Sequence, residues 1–315
     1  MPRLDEKALL VKLSISQWTA RKEDKKITKE VETTHNAHDA GRYHKTLIAK
    51  EEIQKLQKIA NEARTYHYTN TLPWKDDGER ILPTSLYFDY TRELGKFKSS
   101  FKSAVSSFMA NYPALIDLAK ARLNGMFNAE DYPNAGKIEK KFSFETEFSP
   151  IPTAQDFRVN LQTDEINKIS KDLETRLKAT EQEAIKDLWN RLYSTVKNAA
   201  EKLTDPDAIF RDSLMGNISE LVNLLPKLNF TDDPELEKMR RDVEKELIRF
   251  TPETLRDDKE ARRITAQKAR DLLHDIAPHV RETTTETPTT PAAPAPKPAP
   301  REDAHQVLEA MQSLF

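Results

Sequence analysis

The chain contains no cysteine. It therefore forms no disulfide, presents no thiolate nucleophile, and binds neither an iron–sulfur cluster nor zinc through cysteine. This absence is typical of a protein that works in a reducing compartment, and we expect a cytoplasmic location.

Glycine is scarce, with 6 residues among 315, while charged residues reach 32 % against 37 % hydrophobic residues. This profile is typical of a helical protein with a large solvated surface. No stretch approaches the roughly 18 apolar residues of a membrane span, and the N-terminal segment has too few apolar residues for a signal peptide. We therefore expect a mainly α-helical protein that neither crosses a membrane nor is exported.

The chain also lacks an excess of either charge, since it has 50 lysines and arginines and 52 aspartates and glutamates. No global positive field draws the chain to nucleic acid, so any such binding must be local. The run RKEDKKITK supplies the candidate phosphate contacts Arg21, Lys22, Lys25 and Lys26. Because two acidic residues interrupt the run, we favour a solvated turn after the first strand.

The standard enzyme signatures are absent: no G-x-S-x-G, Walker A, Rossmann or H-E-x-x-H motif occurs. The histidines His35, His38 and His44 lie close together in the sequence and could ligate a metal. Solvated loop histidines are the simpler interpretation. We expect no catalytic residue, no cofactor and no metal.

The loop KDDGER places Asp76, Asp77 and Glu79 around a glycine. Neighbouring carboxylates can bind Mg²⁺ or perform acid–base work. A charged glycine turn explains the same residues, so we expect them to be structural.

Three runs alternate apolar and polar residues with a period of two, which predicts strands at residues 11–15, 142–148 and 157–161. The second and third runs are separated by a short proline-containing connection and predict a hairpin, with the first run as the third strand. We therefore predict a small antiparallel sheet within residues 1–162, with helices inserted at about residues 35–130.

The insertion shows helical apolar spacing at residues 47–63 and again at residues 94–112. The second helix is predicted to break or kink at Pro113, and a further helix is predicted to end near Gly125. The segment TLPWKDDGERILPTSLYFDY between the first two helices predicts a structured loop, because it contains prolines and a glycine.

Residues 163–280 predict one long helix followed by a bundle of shorter ones. Thr163 can cap the long helix and Asp205–Pro206 ends it, so about forty residues form a rod of roughly 60 Å. Apolar residues recur along this helix every eleven residues, so its apolar stripe runs nearly parallel to the helix axis. An elongated bundle or coiled-coil element of this length predicts self-association. The residues predicted to mediate it are Ile166, Leu173, Leu177, Leu188 and Leu192.

Three shorter helices follow the long one. The second begins at Pro234, and the third is capped by Thr251 and continues to about Ile276.

The apolar pattern stops after residue 280. Residues 281–301 are rich in proline, alanine and threonine and predict a disordered linker. Residues 302–315 regain a helical apolar face, which predicts a tethered recognition helix that docks into a partner's groove. Docking back onto the chain's own body is the open alternative. The predicted partner-binding residues are Val307, Leu308, Met311, Leu314 and Phe315.

Four segments resemble an uncharacterised family of phages and mobile genetic elements, domain-of-unknown-function family 3150. They are SQWTARKEDK, AGRYHKTLI, DDGERILP and FNAEDYPNAGKIEKKFSFETEFSPIPTAQDFRV, within about residues 5–240. The resemblance implies a genomic setting near a MoxR-class AAA+ ATPase and a von Willebrand A-type protein, sometimes beside recombination genes. The resemblance assigns no catalytic residue to this chain.

The sequence therefore favours a non-enzymatic phage or mobile-element interaction protein, acting as an adaptor, scaffold or assembly subunit in the cytoplasm of a bacterial host. We expect it to self-associate and to engage a partner, such as an AAA+ ATPase, through its last helix. The alternative is a nucleic-acid-associated protein of phage replication or recombination.

Overall fold

The computed structural model describes residues 4–74, 78–153, 163–205 and 208–281. Several predicted features lie outside these residues: the strand at 157–161, the carboxylates Asp76 and Asp77, and the linker and recognition helix from residue 282 on. Residues 1–280 form one compact unit.

The described residues are mainly helical and include two small antiparallel sheets. The helices are α1 (Leu4–Lys7), α2 (Lys25–His35), α3 (Lys50–Thr69), α4 (Tyr87–Leu123), α5 (Ala135–Glu139), α6 (Thr163–Thr204), α7 (Ser213–Leu228), α8 (Pro234–Leu247), α9 (Pro252–Asp257) and α10 (Lys259–Arg281). The strands are β1 (Ala8–Ser16), β2 (Arg21–Glu23), β3 (His44–Thr46), β4 (Leu72–Pro73), β5 (Glu79–Pro83) and β6 (Ser143–Ser149). The predicted α+β class is confirmed. Within the described ranges, no helix has both the length and the apolar character of a membrane span.

The larger sheet has the strand order β4-β5-β1-β6, and all neighbouring strands are antiparallel. β1 pairs with β6, and Ile15 lies opposite Phe144. The sequence predicted that these two runs share one antiparallel sheet. The other two strands come from the segment predicted to be a loop. That prediction is wrong, because Leu72, Ile81 and Leu82 are fully buried and place this segment in the sheet.

The first half of β1 is buried on both faces. Leu10 and Val11 are successive residues that point to opposite faces, and they are 3 % and 0 % exposed. Further along, Leu13 and Ile15 are only half-buried. The predicted single buried face is therefore not seen in either half, since Ser14 is half-buried like Leu13 and Ile15.

α4 is one helix of 37 residues that continues through Pro113, so the predicted break is wrong. Proline removes a backbone hydrogen bond within the helix. Aromatic packing spans this turn: Trp18 contacts Phe108 and Tyr112 edge-on, at ring-centroid distances of 6.3 and 5.9 Å. The helix ends at Asn124, which has a left-handed φ of 49°.

Two aspartates set helix boundaries that the sequence interpretation missed. Residues 21–29 form β2 and the start of α2 rather than a turn, because Asp24 accepts two backbone N–H groups as the cap of α2. The last predicted helix is divided into two, since α9 ends at Asp257 and Asp258 caps α10 in the same way. Aspartate is a preferred residue at this position.

α6 extends from Thr163 to Thr204 over 42 residues, as the sequence predicted. Its second half lies in the core, where it contacts α7 and α8. Leu188 and Leu192 are fully buried there. Their predicted part in self-association is therefore corrected, because the chain's own helices cover them.

The first part of α6 differs from the second. Residues 164–176 include no fully buried residue, and Ile166, Ile169 and Leu173 are half-buried and lie outside the hydrophobic core. Leu177 is the first residue of the helix that packs against the core. Residues 163–176, about 20 Å of helix, are termed the arm of α6.

Candidate functional site

An open groove of about 980 Å³ lies between α3, α6 and α7 and is termed the α3–α6 groove. Its lining includes amide and hydroxyl side chains, an exposed tyrosine, two leucines and three arginines. The lining residues that bear on its chemistry are Arg64, Tyr68, Arg80, Asp187, Arg191 and Asn217.

A buried polar network lies at the C-terminal end of α3, beside the groove. Nδ1 of His67 lies 2.6 Å from the hydroxyl of Tyr90 on α4. The hydroxyl of Thr71 donates to the His67 carbonyl at 2.6 Å and accepts from Nε of Arg80 on β5 at 2.7 Å. The network therefore connects α3 and Thr71, two residues beyond it, to α4 and to the sheet.

Arg191 of α6 caps the end of α3. Its guanidinium donates to the carbonyls of Tyr68, Thr69 and Thr71 at 3.1, 2.7 and 2.7 Å. Nε of Arg191 pairs with Asp187 at 2.8 Å. The last carbonyls of a helix have no partner within it and carry partial negative charge, so a guanidinium is a favourable cap. These donors of Arg191 are therefore committed to the backbone.

Burial, and secondarily the charge of Arg80, lowers the pKa of His67 to about 4. The imidazole is therefore neutral at pH 7. Burial also raises the pKa of Tyr90 and lowers that of Arg80, with the charge of Arg191 as the next cause for Arg80. A histidine and tyrosine in contact can transfer a proton, yet neither ring belongs to the described lining of the groove. The pair holds α3 to α4 and is not placed to meet a bound molecule in the groove.

A buried ion cluster, not indicated by the sequence, connects β3 to the segment after α4. Nζ of Lys45 lies 2.5 Å from Asp131 and 3.3 Å from Asp24, and donates to the Met126 carbonyl at 2.9 Å. Lys45 and Asp131 are 5 % and 7 % exposed. Burial opposes the charge of Lys45, but hydrogen bonds to the two carboxylates outweigh it and raise the pKa. These residues are distant in sequence, so no local spacing could have indicated the cluster.

The candidate phosphate contacts Arg21, Lys22, Lys25 and Lys26 are exposed on β2 and at the start of α2. Lys22 pairs with Asp131 at 2.7 Å, which commits its charge to the ion cluster.

Of the histidines and carboxylates considered in the sequence, the structure describes the three histidines and Glu79, while Asp76 and Asp77 lie outside the described residues. His35, His38 and His44 are exposed, and no group of three metal-ligating side chains lies together among the described residues. Glu79 accepts a hydrogen bond from the hydroxyl of Ser149 at 3.2 Å.

The fold and the groove define a helical α+β protein with an open groove and a long helix, α6, whose second half lies in the core. No family model, curated protein or solved structure matches the chain.

Proposed function

We propose that the protein is a non-enzymatic interaction protein, an adaptor, scaffold or assembly subunit, that self-associates through the arm of α6. One observation carries the proposal: the apolar stripe of Ile166, Ile169 and Leu173 continues beyond the point where α6 leaves the core.

The arm gains stability by pairing. The arm continues a helix that the core already nucleates, so pairing needs no separate helix formation. Burying each large apolar side chain of the stripe contributes roughly 1.5 to 3 kcal/mol before ordering costs. The stripe has spacings of three and four residues, the spacing with which helices interlock along a seam. Every copy of the chain carries the same stripe, so the arm of a second copy is the proposed partner.

The α3–α6 groove supports an interaction role rather than catalysis. Arg191 is bonded to the carbonyls of α3, and Arg64 donates to the carbonyl of Ile15 at 2.9 Å. The accessible groups include Asn61, Asn217 and the ring of Tyr68. Amides and an exposed aromatic ring are suited to binding a protein segment.

A second contact is proposed for the segment that begins at residue 302. Its apolar side chains would fill a groove on a partner protein. The resemblance to the phage and mobile-element family favours a MoxR-class AAA+ ATPase as that partner, in the cytoplasm of a bacterial host.

Self-association is tested by light scattering on the full chain at tens of micromolar, where we expect a dimer or larger assembly. Changing Ile169→Glu and Leu173→Glu together should reduce the mass to that of a monomer, because two charges would enter the seam. The matched control, Asn167→Glu with Thr175→Glu, adds the same charge away from the stripe and should keep the assembly. A monomeric wild type, or equal masses for the two variants, would contradict the proposal.

A further inference from the structure

A second pocket, of about 490 Å³, lies where the C-terminal end of α6 meets α9 and the first turns of α10. Its lining includes five cationic side chains, and none of its described lining residues carries a carboxylate. The cations are Arg256, Lys259, Arg262, Arg263 and Arg270. This site is termed the basic pocket.

Helical spacing places three of these cations on one face of α10. Lys259, Arg263 and Arg270 occupy positions i, i+4 and i+11, which lie within a narrow sector of the helix. Lys268 projects from the opposite face and pairs with Glu246 at 3.4 Å. Like charges four residues apart on a helix, such as Lys259 and Arg263, repel each other, and an anion at this face would relieve that repulsion.

Arg262 has a structural role at the pocket. It is 8 % exposed. Its guanidinium donates to the carbonyls of Leu203, Lys202 and Ala208 at 3.2, 3.0 and 2.9 Å, and also to that of Asp205. These bonds cap the end of α6. Arg262 therefore contributes charge to the pocket while its Nε and Nη2 donors are bonded to the backbone.

The other three arginines are each held by one side chain. The pairs are Arg256 with Asp212, Arg263 with Glu260, and Arg270 with Thr204. A guanidinium has five N–H donors, so each of these arginines keeps donors for a ligand while one edge is fixed. Five cations less the two paired carboxylates leaves three positive charges at the pocket.

We propose that the basic pocket binds a compact polyphosphate, either the phosphate chain of a nucleotide or inorganic tripolyphosphate. Guanidinium groups match phosphate oxygens with paired hydrogen bonds, and the positions of these groups are set before binding. The volume lies in the range of small-molecule sites. Several cations around one small pocket suit linked phosphates, which carry several charges in a short length.

Isothermal titration of the full chain at about 150 mM salt should show binding of tripolyphosphate and of ATP, but not of adenosine. Tighter binding of ATP than of tripolyphosphate would show that the ligand is a nucleotide. Equal affinities would show that the pocket recognises only the phosphate chain. Changing Lys259→Gln and Arg270→Gln together should weaken binding of both probes by at least about tenfold, because two charge-assisted bonds to the phosphates are lost.

The matched control is Arg241→Gln with Lys268→Gln, which removes two cations that pair with Glu237 and Glu246 outside the pocket. Its affinity should stay within about twofold of wild type, because these cations do not line the site. Absence of tripolyphosphate binding by the wild type would overturn the proposal. Equal weakening of binding by the two double variants would also overturn it. So would binding of an oligo-dT strand by a wild type that does not bind tripolyphosphate.

Discussion

Arg191 and Arg262 perform the same task at two helix ends. The first donates to the terminal carbonyls of α3, and the second to those of α6. In both cases a guanidinium from a neighbouring helix satisfies backbone groups that have no partner within their own helix. In the sequence these arginines look like ordinary surface charges, so only the packing of the helices reveals their role.

His67 should make stability depend on pH. Its pKa is about 4 in the folded chain against 6.5 for an ordinary histidine, so the unfolded chain binds more protons between these values. Its contribution to stability is therefore complete above pH 6.5 and is lost as the pH falls toward 4. At pH 5 the loss should be about 2 kcal/mol. Urea unfolding at pH 7 and pH 5 measures it.

The matched comparison uses two glutamine variants. His67→Gln keeps a polar side chain beside Tyr90 but does not titrate, so its stability should change less between pH 7 and pH 5. His274→Gln alters a histidine whose side chain is 91 % exposed, and it should behave like wild type. The same pH dependence in all three proteins would refute the role assigned to His67.

At the scale of elements, the end of α6 depends on Arg262. The variant Arg262→Met retains the apolar stem but leaves four carbonyls without their donor. We expect the free energy of unfolding to fall by about 3 kcal/mol, measured by urea denaturation. Arg263→Met alters the next, exposed residue and should have a far smaller effect. If the two variants lost similar stability, the cap would not be the cause.

Helix ends could be predicted where a local signal marks them. Thr163 and Asp205–Pro206 indicated the limits of α6, and Pro234 indicated the start of α8. Asp258 offered a similar signal, but the apolar pattern continues past it and hid the boundary. Pro113 misled the interpretation, because the burial of Phe108 and Tyr112 depends on residues far away in the sequence.

The candidate sites were less accessible to prediction. The α3–α6 groove brings together Arg80 and Arg191, and the ion cluster brings together Lys45 and Asp131; no local spacing connects either pair. The basic face of α10 could have been found from the sequence. Apolar periodicity alone does not reveal it, because this pattern takes no account of cations that share a helical face.

At the scale of the whole molecule, residues 1–280 form one compact unit, and α6 joins its parts. α6 contacts β4 on one side and α7 and α8 on the other, and Arg191 bonds the end of α3. The sheet region and the helical bundle therefore share one long helix, which makes independent movement of the two costly.

Deleting residues 302–315 should leave the free energy of unfolding of the body within about 1 kcal/mol, because a terminal segment beyond a proline-rich linker adds little to a core. Thermal unfolding measures this. The same deletion should abolish capture of one partner from the native host, and Leu308→Ala with Phe315→Ala should reproduce that loss. A large fall in melting temperature would instead show that the segment completes the protein's own core.

The arm of α6 can change length without disturbing the core. Eleven residues complete three helical turns at 3.67 residues per turn, so inserting or removing eleven residues returns every later side chain to its original face. Such a step would move the tip of the arm by about 16 Å while Leu188 and Leu192 kept their places. The length of the arm can therefore change independently of the fold, and related chains should differ in the length of α6 by multiples of eleven residues.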